Sequence, residues 1–180
     1  MRVISGTARG VKLRTPDGMQ TRPTADRVKE AMFSILQFEL PGAKILDLFA
    51  GTGQLGIEGL SRGAAAATFV DQREDACRLV RENLERTGLK NHGTVIRSDY
   101  CAYLRNCSEK YSIIILDPPY AEEFLEKSLK MITEIDILQS GGIIVSERPV
   151  EKGLDIQFEN FVRSKDYKYG NTILTMFRKI

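Results

Sequence analysis

The stretch Lys44-Ile45-Leu46-Asp47-Leu48-Phe49-Ala50-Gly51-Thr52-Gly53-Gln54-Leu55-Gly56 restricts this chain to a small set of folds. Ile45, Leu46, Leu48 and Phe49 form an apolar run that reads as a buried strand, interrupted by Asp47. A glycine-rich turn follows, and then a segment compatible with a helix. Glycines let the backbone bend tightly and approach a ligand, and the start of a helix presents unpaired N–H groups. Such a strand–turn–helix suits a nucleotide-like cofactor. Gly51, Gly53 and Gly56 also match the dinucleotide fingerprint, with Asp71 about twenty residues on as the expected ribose acid. A nicotinamide-dependent oxidoreductase is therefore one reading of this stretch alone.

The rest of the chain repeats the alternation of strand and helix. Ala66–Val70, Thr94–Arg97, Ser112–Leu116 and Gly142–Ser146 read as strands, separated by helical patterns over about 73–87, after Asp99, and over about 121–136. Gly88 is placed to cap the helix before it. Beyond Pro149, Phe158–Lys165 and Asn171–Arg178 read as two strands around a turn at Lys168-Tyr169-Gly170, with no helix between them. The pattern predicts an α/β fold: a doubly wound, Rossmann-like, mostly parallel sheet closed by an antiparallel C-terminal hairpin. Residues 41–180 form the cofactor-binding domain in this reading. Residues 1–40 form a small appendage: a hairpin of Arg2–Ile4 and Val11–Thr15, a turn at Pro16-Asp17-Gly18, and an amphipathic helix over 24–38 capped by Thr24.

With 180 residues, 42% hydrophobic and 28% charged, the chain has the makings of one domain with a real core. The first residues carry no apolar leader, and no run approaches the roughly 18 apolar residues of a spanning helix. A cytoplasmic protein without a membrane partner is expected. Three cysteines without paired spacing, and His92 in a loop-like context, predict neither disulfides nor a metal site. Charge is unevenly spread. Residues 1–29 hold seven basic and two acidic side chains, an excess of five in a chain whose net charge is +2. A basic arm on a mildly acidic body suggests an anionic partner, with Arg9, Lys12, Arg14 and Arg22 as candidates to follow phosphates.

Asp71, Asp99 and Asp117 close successive strands or begin the loops after them, which in a doubly wound sheet brings them to one crevice. Asp71 can accept from ribose hydroxyls, and Asp99, with Tyr100 beside it, from an adenine amine. The sharper motif is Asp117-Pro118-Pro119-Tyr120. Two prolines stiffen the loop and remove two donors, leaving the Asp117 carboxylate and the Pro118 carbonyl as acceptors. An aromatic ring follows. Those parts suit a planar base with an exocyclic amine, stacked on Tyr120 with its two N–H protons held by the acceptors.

Asp-Leu-Phe-Ala-Gly-Thr-Gly with Asp-Pro-Pro-Tyr resembles motifs I and IV of the S-adenosylmethionine-dependent amino-methyltransferases. Arg2–Gly6, Gly10–Leu13, Arg22–Phe33, Leu55–Glu58, Ser61–Ala64 and Tyr169–Thr172 extend the resemblance across the whole chain, to the RsmD family. Gln54 and Ala25 depart from that family's usual residues, neither of them within the chemistry. The resemblance implies methylation of the N2 amine of a guanine in 16S ribosomal RNA, within an assembled or assembling small subunit. It implies S-adenosylmethionine as cofactor, held by Asp47, Gly51, Gly53, Asp71, Asp99 and Tyr100, with Asp117, Pro118, Pro119 and Tyr120 at the target amine. Two alternatives share some of these features: an adenine-N6 methyltransferase with a similar tetrapeptide, and a non-enzymatic RNA-binding assembly factor on the same fold.

Overall fold

The computed structural model of the chain describes residues 1–16, 23–119 and 122–180. After α1 (Pro23–Ile35) the elements are β1 (Lys44–Asp47), α2 (Gln54–Ser61), β2 (Ala66–Asp71), α3 (Glu74–Arg86) and β3 (Gly93–Arg97). Then come α4 (Tyr100–Asn106), β4 (Tyr111–Leu116), α5 (Glu122–Ile135), β5 (Leu138–Pro149), β6 (Phe161–Arg163), β7 (Tyr167–Tyr169) and β8 (Thr172–Lys179). Among the described residues the strands make one eight-stranded sheet, in the order β3-β2-β1-β4-β5-β8-β6, with β7 also on β8. The strands β1 to β5 are parallel, and β8 is antiparallel to its neighbours. No helix among the described residues is long and apolar enough to cross a membrane.

The near-continuous apolar run of β4 follows from its position. Ile113 and Ile115 pack into the cluster formed with α1, α2 and α3, while Ile114 and Leu116 pack into the one formed with α4 and α5. A strand covered on both faces has no wet side for polar residues. The helix α3 ends as its glycine predicts. Gly88 has φ +72°, its N–H donates to the Glu85 carbonyl at 3.1 Å, and the Leu89 N–H donates to that of Leu84 at 2.9 Å. That pair of bonds is a Schellman cap. The chain winds outward one way through β2 and β3 and the other way through β4 and β5. The crevice therefore opens at the carboxyl ends of β1 and β4.

The first forty residues share their core with the sheet. Val3, Ala8 and Leu13, with Val28, Met32, Phe33 and Leu36, are buried in the same cluster as Ile45, Ile57 and Leu60. The two expected N-terminal strands reduce to a single antiparallel bridge, Arg2 to Lys12, held by Val3 N–H to the Val11 carbonyl and Leu13 N–H to the Met1 carbonyl, while Ile4, Ser5 and Ala8 bond to α2. The Glu58 carboxylate accepts from Ile4 N–H at 2.8 Å and Ser5 N–H at 3.0 Å. Lys29, buried, lies 3.7 Å from Glu58 and donates to the Arg2 carbonyl at 2.7 Å. Breaking such a buried pair costs about 3–5 kcal/mol. Asn83 of α3 binds both the N–H and the carbonyl of Arg14 and also donates to the Thr52 carbonyl at 2.9 Å, tying this segment to the glycine turn. The expected turn at Pro16-Asp17-Gly18 and the Thr24 cap lie in or against residues outside those described, except for Pro16 itself.

At the other end, the expected strand Phe158–Lys165 is only β6, and a further strand, β7, occupies Tyr167–Tyr169, in place of most of the expected turn. The β6–β8 pairing places Arg163 opposite Phe177, yet the β7–β8 pairing places Tyr167 opposite Leu174. Three residues, 164–166, therefore face two, which is a bulge. Asp166 is turned inward there, accepting from Thr175 Oγ1 at 2.6 Å and pairing with Arg148 and Arg163. Of the expected turn Lys168-Tyr169-Gly170 only Gly170, with φ +58°, turns; it makes a two-residue hairpin with Asn171 between β7 and β8.

Candidate active site

Beyond β1 the backbone stays extended across the switch point, with Leu48 N–H donating to Ile115 and Ala50 N–H to Val70. It then turns through Gly51 and Gly53, both left-handed at φ +54° and +77°. The two glycines differ in their surroundings. A Cβ on Gly53 would crowd Val80 at 3.0 Å, whereas one on Gly51 would meet nothing within 4 Å. Gly51 thus faces open space at the cavity wall, and Gly53 starts α2 without a side-chain cap. Gly56 has a packing role: a Cβ there would lie 2.3 Å from the Phe69 ring, so only glycine lets α2 rest on β2.

The acids around this turn are engaged by the backbone. Asp71 Oδ2 accepts from Gly51 N–H at 3.0 Å and Oδ1 from Arg73 N–H at 2.9 Å, so the end of β2 braces the turn. Asp99 caps α4, its Oδ1 accepting from Cys101 and Ala102 N–H at 3.0 and 3.1 Å. Both still line a large cavity. Asp47 is placed differently from the expectation that it holds the cofactor directly. It is buried beneath the turn, does not line the cavity, and accepts from Gly56 N–H at 3.0 Å through Oδ2. Its Oδ1 has no hydrogen-bond partner among the described residues. Burial raises this carboxyl to about 7, helped by the charges of Asp117 and Asp71 and opposed by the Gly56 bond.

The cavity measures about 560 Å³ and is walled by Gly51, Thr52, Asp71, Asp99, Asp117 and Pro119, with Met1 and Pro16 from the N-terminal segment. Small-molecule sites typically span ~300–1,000 Å³. Its apolar floor is an aromatic cluster in which only Tyr100 is an expected cofactor contact. Phe49 and Tyr100 lie 5.2 Å apart, and Phe124 meets Tyr100 edge-on at 5.6 Å. Phe49 stands directly before the glycine turn, a local signal of its place. Phe124 comes from α5 and has none. Hydroxyl-accepting acids, an aromatic surface and an uncapped helix start together fit a nucleoside-bearing cofactor.

Asp117 sits at the far wall of this cavity, and Pro119 is shared with a second, smaller cavity of about 210 Å³. Pro118, Glu147, Arg148 and Leu154 also line the smaller one. The last β4–β5 pair is Leu116 with Ser146, so Asp117 and Glu147 follow side by side at the carboxyl ends of adjacent strands. Burial raises Asp117 to about 6; burial and the Asp117 charge raise Glu147 to about 8. Glu147 marks only the end of a strand in the sequence; nothing local distinguishes it. Tyr120 lies outside the described residues.

Of the basic candidates, Arg9, Lys12 and Arg14 are exposed, and Arg14 also pairs with Glu82 of α3 at 2.8 Å. Arg22 lies outside the described residues. Lys29, part of the same charge excess, is the buried partner of Glu58.

Residues 1–178 match the family model described as "Conserved hypothetical protein 95". The chain is 38% identical over 182 residues to "Putative rRNA methyltransferase YlbH" of Bacillus subtilis, covering 99% of each chain. It is 31% identical over 179 residues to "Ribosomal RNA small subunit methyltransferase D" of Escherichia coli (strain K12), covering 99% of this chain and 90% of that one. Among solved structures, yhhF of Escherichia coli, named a putative methyltransferase, superposes with a TM-score of 0.90 at 32% identity, covering 99% and 97% of the two chains.

Proposed function

The chain belongs to the RsmD family, and on that premise we propose that it methylates the exocyclic N2 amine of a guanine in small-subunit (16S) ribosomal RNA. It is an rRNA methyltransferase with S-adenosylmethionine as methyl donor, working in the cytoplasm on an assembled or assembling subunit. One observation carries the reading: the Asp117–Pro119 segment stands between a cofactor-sized cavity and a base-sized one, sharing Pro119 with both.

Asp71 and Asp99 would hold the ribose and adenine of S-adenosylmethionine over the floor of Phe49, Tyr100 and Phe124, with Gly51 leaving room for it. When bound, it supplies the sulfonium methyl group to be transferred. The chain's own task is to prepare the nitrogen. The lone pair of a guanine amine is delocalised into the ring, so the nitrogen is a weak nucleophile. Asp117 accepts one N2–H and the Pro118 carbonyl the other, which favours a pyramidal nitrogen with its lone pair free. Tyr120 supplies the stacking ring for a base drawn out of the RNA. Once methylated, N2 must lose a proton, and the Asp117 carboxylate, raised to about 6 by burial, is matched to receive it. Orientation and electrostatics account for most of the acceleration. Arg9 and Lys12 supply phosphate contacts.

Mass mapping of methylated nucleosides in small-subunit RNA, from cells with and without this protein, tests the reading. One N2-methylguanosine should disappear with the protein; an unchanged map defeats it.

A further inference from the structure

Asp117 and the Pro118 carbonyl account for the amine of the target base but leave its other edge unread. Guanine presents N1–H and O6 beside N2, a donor and an acceptor that neither group engages. Glu147 is the side chain in place to do so. It follows the Leu116–Ser146 pair one step along, beside Asp117, and lines the smaller cavity with Pro118 and Pro119. That cavity, about 210 Å³, suits a nucleobase rather than a whole nucleotide. Among the described residues the Glu147 side chain makes no hydrogen bond or ion pair. The cation next to it is committed elsewhere: the Arg148 guanidinium donates to the Lys152 carbonyl and to Asp166.

Resting on the guanine-N2 reading, we infer that the smaller cavity seats the target guanine and that Glu147 reads its N1–H/O6 edge, the carboxyl C=O accepting from N1–H and the O–H donating to O6. Only an acid in its neutral form offers both. Burial and the adjacent Asp117 favour that form, raising the carboxyl to about 8. The other groups on the cavity wall are Glu126 of α5, Arg148 and Lys152. The division of labour is then chemical. The ionised acid, Asp117, takes a proton-bearing amine and needs only to accept. Glu147 faces one donor and one acceptor and needs to do both. An acid that must be uncharged to work also explains why a second carboxyl stands beside Asp117 with no cation paired to it among the described residues.

The test compares guanine with 2-aminopurine at the target position of a small-subunit RNA, reconstituted with subunit proteins where free RNA is not methylated. 2-Aminopurine keeps the N2 amine but lacks N1–H and O6. The wild-type protein should prefer guanine in kcat/KM by at least about tenfold. Glu147→Ala should reduce that preference to within about threefold, with S-adenosylmethionine affinity and melting temperature close to wild type, since the edge is then unread. Glu147→Gln, whose amide also offers one acceptor and one donor, should restore it. Equal use of the two bases by the wild-type protein overturns the inference without any variant. So does an unchanged preference in Glu147→Ala, or a Glu147→Gln as impaired as the alanine variant, which would mark an ionised acceptor. A wild-type protein that leaves guanine N2 unmethylated defeats the parent reading instead, a separate result.

Discussion

Acids at the carboxyl ends of the strands fall into two groups on either side of the switch point. On the β1–β2 side, Asp71 accepts from Gly51 N–H of the glycine turn, Asp47 from Gly56 N–H in the first turn of α2, and Asp99 caps α4. On the β4–β5 side, Asp117 and Glu147 accept from nothing among the described residues, and burial raises both. The same residue type at equivalent ends of parallel strands thus does two kinds of work. Backbone-bound carboxylates fix the shape of a turn, and in doing so aim their remaining lone pairs. Unpaired ones keep all their lone pairs for a ligand, at the cost of a desolvated carboxyl.

The largest effect should come from the unpaired side. Asp117→Ala is expected to cut single-turnover methyl transfer by about 10²–10³-fold, as removal of a group aimed at the reacting atom does. Its S-adenosylmethionine affinity should stay within a few-fold. Since the working form of Asp117 is ionised, transfer by the wild-type protein should rise with pH through about 6. A rate in Asp117→Ala near wild type would erase the distinction between the two groups.

Asp71→Ala should do the reverse, weakening S-adenosylmethionine by about 1–3 kcal/mol in calorimetry while sparing single-turnover rates at saturating cofactor. Part of that weakening is indirect, because Gly51 N–H is left without its acceptor. If the rate at saturation falls as far as in Asp117→Ala, the acids do not divide as described.

Much of the fold and the site is legible in the sequence, for physical reasons that differ by region. The parallel sheet shows because strands covered on both faces must be apolar throughout, as Ile113–Leu116 are. Asp117-Pro118-Pro119 shows because two prolines after a strand leave few other conformations. Phe124 and Glu147 are not legible as site residues, since only the folding of α5 and β5 against β4 brings them there. The basic arm misleads in another way. Charge along a sequence says nothing of depth or pairing: Lys29 is spent inside on Glu58, while Arg14, at the surface, is paired with Glu82. That leaves Arg9 and Lys12 as the exposed candidates with no ion pair among the described residues. Neutralising both should weaken RNA binding and flatten its dependence on log salt by about 0.7 for each phosphate no longer neutralised. Arg14→Gln should change the slope less, since it removes at most an exposed pair worth about 0–1 kcal/mol. A slope untouched by the double variant would leave the arm a purely structural element.

The smallest effect separates Asp47 from both groups. It is braced like Asp71, yet buried and raised like Asp117, to about 7. A carboxyl whose folded-state pKa lies above its unfolded value of 3.8 favours the fold while protonated. Its contribution is complete below about 4 and is lost as pH rises through about 7. Asp47→Asn keeps an oxygen for Gly56 N–H and cannot ionise, so it should lack this dependence. Melting temperatures of the two proteins should therefore lie closest near pH 4 and separate as pH rises to 8, with the wild-type protein lower, since each roughly 1 kcal/mol moves the midpoint about 2–4 °C in a domain of this size. The double variant with Asp117→Asn refines the assignment, because the Asp117 charge is one of those that raise Asp47. Removing that charge should narrow the separation without abolishing it. A pH profile identical in wild type and Asp47→Asn would mean that Asp47 stays ionised beneath the turn, and its place would then be with Asp71 alone.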